Sequence, residues 1–151
     1  MRSYLVVVDD TGEADVALRY AARRAARTGG SVLILAVMPP QEFVQWGAVQ
    51  AAMEEEARLR AEAMGLQAAS AIDEEAGVQR TVLVRHGEPV KAITDVLKER
   101  DDVAALVLGA AAEGGPGPLV AHFAGAVAAT LPCPVVIVPG RLSDEALDRL
   151  S

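Results

Sequence analysis

Short, unbroken apolar runs alternate along this chain with longer segments whose apolar residues recur every three or four positions. Tyr4–Val8 (YLVVV) is the first run. A continuous β-branched stretch predicts a strand covered on both faces. Asp9-Asp10-Thr11-Gly12 interrupts it, and Ala14, Ala17, Leu18, Ala21, Ala22 and Ala25 follow at helical spacing. Thr11 is placed to cap that helix and Gly29 to close it in the left-handed conformation. Ser31–Met38 (SVLILAVM) predicts a second buried strand, ended by Pro39-Pro40. From about Gly47 a long helix is expected to run towards Ala76, with Val49, Met53, Ala57, Ala61, Met64, Ala68 and Ile72 inward and Gly77 as its cap. Arg80–Arg85 is the third strand. His86-Gly87-Glu88-Pro89 turns the chain, and Pro89 suits the first turn of a helix that carries Val90, Ile93, Val96 and Leu97. Val103–Leu108 is the fourth strand. The glycine-rich segment Gly109–Pro118 leads into an expected last long helix with Val120, Phe123, Val127 and Leu131. Pro132-Cys133-Pro134 stops it, Val135–Val138 is the fifth strand, and Ser143 caps a short helix in the tail.

The order β-α-β-α-β-α-β-α-β predicts an α/β protein with a five-stranded parallel sheet, open and doubly wound. One domain is expected over residues 1–140, followed by a tail over 141–151. A ligand of such a sheet sits at the carboxyl ends of the strands, near the switch in strand order. The search for function therefore narrows to the loops that begin at Asp9, Val37, Arg85 and Gly109, and to the tip after Val138.

Composition narrows it further. Of 151 residues, 52% are hydrophobic and only 3% aromatic, and alanine is the commonest. Such a core suits close packing of helices on a sheet. The net charge of −7 argues against nonspecific binding to nucleic acid or an anionic membrane. No apolar run approaches the roughly 18 to 20 residues of a membrane span, and the opening MRSYLVVVDD lacks the pattern of a signal peptide. The single cysteine, Cys133, has no partner in the chain, so a cytoplasmic location is expected. With two histidines, His86 and His122, no metal site is expected, and no serine sits in a nucleophile elbow, so no catalytic residues are assigned. The arginines Arg19, Arg23, Arg24 and Arg27 of the first helix read as a solvated face. Phe43 and Trp46 are placed to cover the cleft, meet a partner or join the core.

The loops offer two features. Asp9 and Asp10 end the first strand, where a carboxylate can accept from a ribose hydroxyl or an adenine amino group; equally, negative charge there favours the start of the first helix. The acids resemble the pocket of a response-regulator receiver. That fold needs Asp after strand three, Ser or Thr after strand four and Lys after strand five, and the chain has Arg85-His86-Gly87, Gly109-Ala110 and Pro139-Gly140 instead. The glycine-rich segment could approach a phosphate through backbone N–H groups; it lacks the Gly-Lys-Ser/Thr of a P-loop, and a flexible connection has the same composition.

The pieces VVVD, LILAVM, HGEPVKAI and ALVLGA stand in order, before a glycine-rich loop, a helix containing Gly125, and LPCPVVIVP. Over about residues 3–139 this series resembles the universal stress protein (UspA-like) family. The resemblance implies a Rossmann-like sheet of the adenine nucleotide alpha hydrolase type and a homodimer paired through Val135–Val138. It implies a stress-response binding or regulatory module without catalysis of its own, acting through an unidentified protein partner. It also implies an adenine-nucleotide site of the pattern G-x2-G-x9-G-(S/T), with ATP or AMP as the ligand. Asp9 matches the family acid that holds adenosine, Val37 the backbone contact to adenine, Gly109 the first glycine and Gly125 the last. Ala112 stands at the second glycine position. Gly115 keeps the nine-residue interval to Gly125, which a three-residue insertion would explain. Ala126 replaces the phosphate-binding hydroxyl, a loss of roughly 1.5 to 3 kcal/mol, and Pro116 and Pro118 remove two loop N–H donors. No Lys or Arg lies between Gly109 and Gly125. The motif is thus degraded, and a less phosphorylated adenosine species or no nucleotide at all is left open. The alternative reading is a slow Mg-dependent ATPase with Asp9 holding Mg-ATP.

Overall fold

The computed structural model describes residues 1–40, 45–72 and 77–151. Phe43 and the stretch in which the second predicted helix was expected to end, 73–76, lie outside them. Strands β1 (Ser3–Val8), β2 (Ser31–Met38), β3 (Gln79–His86), β4 (Val103–Ala110) and β5 (Val135–Pro139) form one sheet in the order β3-β2-β1-β4-β5. Every pairing is parallel. The chain winds from β1 through β2 to β3, then returns to the other side of β1 for β4 and β5. The order therefore switches between β1 and β4, where two neighbouring loops leave in opposite directions and open a crevice.

The helices are α1 (Gly12–Thr28), α2 (Gly47–Ala71), α3 (Pro89–Glu99), α4 (Pro118–Phe123) and α5 (Asp144–Leu150). Alternation along the strands divides the core. Val6, Val8, Ile34 and Ala36 face α1 and α2, whereas Leu5, Leu33, Leu35 and Leu106 face α3 and α4. Small residues let the helices lie close: a Cβ at Gly65 of α2 would stand 2.5 Å from Val82 Cγ1 on β3. The predicted caps hold. Thr11 accepts from the Ala14 N–H, Gly29 closes α1 at φ 69, and Ser143 accepts from the Ala146 N–H.

Three expectations change. The last long helix is broken: α4 stops at Phe123, and a 3-10 turn, Ala126–Thr130, follows Gly125, whose φ −87 and ψ −142 are not helical. Glycine weakens a helix interior by roughly 0.5–1 kcal/mol, and too few residues remain before Pro132 to recover it. The second helix has Ile72, not Gly77, as its cap, and it packs from Ala57 onward: Ala57, Ala61, Gly65, Ala68 and the cap Ile72 are buried, whereas Val49 in its first turn is exposed. Trp46 is 74% exposed and so does not join the core.

The arginine face of α1 is not simply solvated. The tail folds back on it, with Arg19 on Asp144 at 3.2 Å, Arg23 on Asp148 at 2.6 Å, and Arg27 donating to the carbonyls of Asp148 and Ser151. Leu147 of α5 is fully buried in the same core as α1. The tail thus covers the sheet face next to β5 and shares the core of the preceding residues.

Candidate functional site

The segments that leave the ends of β1, β4 and β5 meet at one close approach. The first turn of α1 crosses the ends of β4 and β5. A Cβ at Gly109 would stand 2.1 Å from the Glu13 carbonyl oxygen, and one at Gly140 would stand 2.6 Å from the Ala110 oxygen and 3.0 Å from Glu13 Cβ. Gly109 therefore serves here as the place where two backbones touch. The contact nearly closes the crevice at the switch point. What is left between Asp9, Thr11, Gly109 and Pro116–Val120 is a volume of about 90 Å³, against roughly 300 Å³ for a small-molecule pocket.

The roomier space lies one strand over. A cavity of about 550 Å³ opens above the ends of β1 and β2. Its floor is Val7, Val8 and Val37; its walls are Ala57, Ala61 and Met64 of α2 and Pro118 and Leu119 of α4. Asp9, Asp10, Glu88 and Arg60 supply its charges. Local folding fixes two of the three acids. Asp9 Oδ1 accepts from the Thr11 N–H at 2.9 Å and from the Thr11 hydroxyl at 2.5 Å, an Asx turn that holds the carboxylate at the strand end. Glu88 is the N-cap of α3, and its carboxylate accepts from the N–H groups of Val90 at 3.2 Å and Lys91 at 3.1 Å. Arg60 donates to Glu56, one turn back on α2, at 3.2 Å.

Asp9 and Val37 are thus brought to one cavity, and Gly109 to the narrow crevice beside it. Gly115 sits at φ 91 in the loop beyond and lines neither space. Gly125 and Ala126 are exposed and line neither. Their neighbours Phe123 and Val127 face a separate groove against the far half of α3. That groove also holds Cys133, whose thiol burial pushes up, the direction opposite to activation. Among the described residues no three His, Cys, Asp or Glu side chains gather as a metal site would require.

Arg60 was not singled out by the sequence; Met64 reads there only as part of the inward stripe of the second helix, and Glu88 only as the last residue of the candidate loop that begins at Arg85. The Ala57–Ala61–Met64 spacing marks the inner face of α2, and Arg60 flanks it; nothing in the sequence says that this face reaches the strand ends. Arg141 was also missed. It follows β5 and donates to the Ala112 carbonyl at 3.3 Å and to Glu113 at 3.4 Å, so a cation does stand beside the glycine-rich loop, on the side away from the cavity.

The profile of the universal stress protein family matches residues 1–139, and the chain belongs to that family. Solved structures agree on the fold. Universal stress protein UspA from Lactobacillus plantarum is 19% identical, with 91% of this chain and 97% of that one covered and a TM-score of 0.77. A universal stress protein from Archaeoglobus fulgidus in complex with dAMP is 22% identical, covering 91% and 98%, with a TM-score of 0.64. A universal stress protein in complex with cAMP is 19% identical, covering 91% and 96%, with a TM-score of 0.63. No curated protein matches the chain. No helix among the described residues is long and apolar enough to cross a membrane.

The contact between Gly109 and Glu13 gives a direct prediction. Gly109→Ala puts a methyl group against a backbone carbonyl that cannot rotate away. The substitution is expected to destabilise the fold by about 1–3 kcal/mol, read as a lowered denaturant midpoint. Gly115→Ala, at a position where a Cβ meets open space, is expected to lose only the smaller amount due to its left-handed backbone.

Proposed function

We propose that this protein is a non-enzymatic binding module of the stress response whose cleft above β1 and β2 takes an adenosine-type ligand. The observation that carries this reading is the 550 Å³ cavity that joins Asp9 to Val37. Its size falls within the roughly 300–1,000 Å³ of small-molecule pockets, and its apolar walls with a few polar groups suit a flat base. Adenine would lie on Val7 and Val37 between Met64 and Leu119, and Asp9 Oδ2 would accept from ribose, since Oδ1 is engaged by Thr11. The dAMP and cAMP complexes of the two relatives support the ligand class. Gly125 and Ala126 do not enter the site in this proposal, so the glycine motif is degraded in position as well as in residue type. A slow Mg-dependent ATPase is disfavoured by the same geometry, because no hydroxyl or cation from that motif reaches the cavity.

We place the protein in the cytoplasm on its single, unactivated Cys133. It would act as a homodimer, passing its occupancy to a protein partner. The two sheet edges differ in a way that supports pairing through Val135–Val138. The β3 edge carries Arg80 and Arg85, which discourage strand addition. The β5 edge is VVIVP, short, apolar and uncharged, with Ile137 40% exposed.

Calorimetric titration with adenosine, AMP and ATP, each with Mg²⁺, tests the ligand class. Adenosine is expected to bind, and Leu119→Trp, which fills the cavity from its rim, is expected to weaken it at least tenfold with the circular dichroism unchanged. Silence with all three ligands at millimolar concentration sinks the reading. For the dimer, Ile137→Asp is expected to give a monomer by light scattering; a dimer that survives both this change and Val136→Asp has its interface elsewhere.

A further inference from the structure

Resting on the reading of the cleft as an adenosine-type site, we infer that it selects the unphosphorylated nucleoside and rejects its phosphate esters. The charges around the cavity set this preference. Three carboxylates, Asp9, Asp10 and Glu88, face one guanidinium, Arg60, which is itself engaged by Glu56. Lys91, the next cation on α3, is held by Asp95 at 2.8 Å. A phosphate entering the cavity meets a net negative rim.

Several of the backbone donors that could receive a phosphate are already used. At the start of α3 the Glu88 carboxylate takes the N–H groups of Val90 and Lys91, so an anion of the chain's own occupies the position of a bound one. At the start of α1, Thr11 caps Ala14 and Asp9 takes the Thr11 N–H. At α4 the first residue is Pro118, without an N–H, and the helix is six residues long. The glycine-rich loop closes on itself, with the Ala111 N–H donating to the Pro116 carbonyl at 3.2 Å. The crevice beside Gly109, where a phosphate chain would continue from Asp9, holds only about 90 Å³. Arg141 does not reverse the balance, because it lies outside the cavity and is paired with Glu113.

Glu88 is thus a specificity residue: its side chain supports α3 and, in doing so, adds negative charge to the rim of the cavity that a phosphate ester would enter. The sign of the salt dependence separates this from an ordinary nucleotide site. Attraction between a phosphate and a basic site weakens as salt screens it, whereas repulsion is relieved. In calorimetric titrations between about 0.01 and 0.1 M salt, where the Debye length falls from roughly 30 to 10 Å, AMP affinity is expected to rise severalfold and adenosine affinity to stay constant. At the low-salt end adenosine is expected to bind on the order of tenfold more tightly than AMP, given two net charges at the rim. Glu88→Gln keeps a capping oxygen and removes the charge, and should narrow that gap several-fold by raising AMP affinity more than it changes adenosine affinity; Arg141→Ala, outside the cavity, should leave both ligands unchanged. AMP binding more tightly than adenosine, or weakening with added salt, overturns the inference while the cleft stands as a nucleotide site. Failure of adenosine to bind at all overturns the reading of the cleft, and the inference with it.

Discussion

The meeting of the first turn of α1 with the ends of β4 and β5 governs the functional edge of this molecule. Gly109 and Gly140 have no side chains because Glu13 and the Ala110 carbonyl stand where those side chains would be. With the turn seated there, Thr11 caps α1 and draws the Asp9 carboxylate onto itself. The crevice between β1 and β4 is then largely filled. The open volume moves to β1 and β2, between α2 and the starts of α3 and α4. Gly109, which the resemblance places first in the glycine motif, is thereby used for packing, and the open volume lies on the β1–β2 side.

The same alanine-rich economy runs through the fold. Ala57, Ala61 and Ala68 of α2 and Ala14, Ala17, Ala21 and Ala25 of α1 bring helices close to a sheet of Val, Leu and Ile. Among the described residues, Phe123 and Tyr4 are the aromatic side chains buried in this core. At one end of the sheet the packing admits a ligand-sized cavity with a polar rim. At the other, the Ser3 hydroxyl donates to Asp102, whose carboxyl the Arg100 guanidinium and then Ser3 hold down at about 2, and a polar cluster ties β1 to the start of β4.

Much of the fold was legible because its signals are local. Continuous β-branched runs marked the strands, and Thr11, Gly29 and Ser143 marked ends that each rest on a local capping hydrogen bond. The break at Gly125 was less visible, since Val120, Phe123, Val127 and Leu131 keep helical spacing across it; the shortness of the chain before β5, not the periodicity, decides the outcome. The docking of α5 on Arg19, Arg23 and Arg27 was hidden for another reason: an arginine row looks the same whether it meets water or the acids of a tail more than a hundred residues away. Asp9 and Val37 could be read as strand-end residues. Glu88 lay in the candidate loop after β3, whereas Arg60 could not be read there, because its place in the cavity follows from how far α2 extends past the strands.

In the proposed complex the ligand sits above β1 and β2 and not at the glycine motif around Gly125. Amide chemical-shift mapping of the ¹⁵N-labelled protein during titration with adenosine tests it most directly. Shifts are expected at Val7–Thr11, Val37–Met38, Ala61–Met64 and Leu119, with Gly125 and Ala126 unmoved. Shifts concentrated at Gly115 and Gly125–Val127, with the Asp9 loop silent, would contradict it.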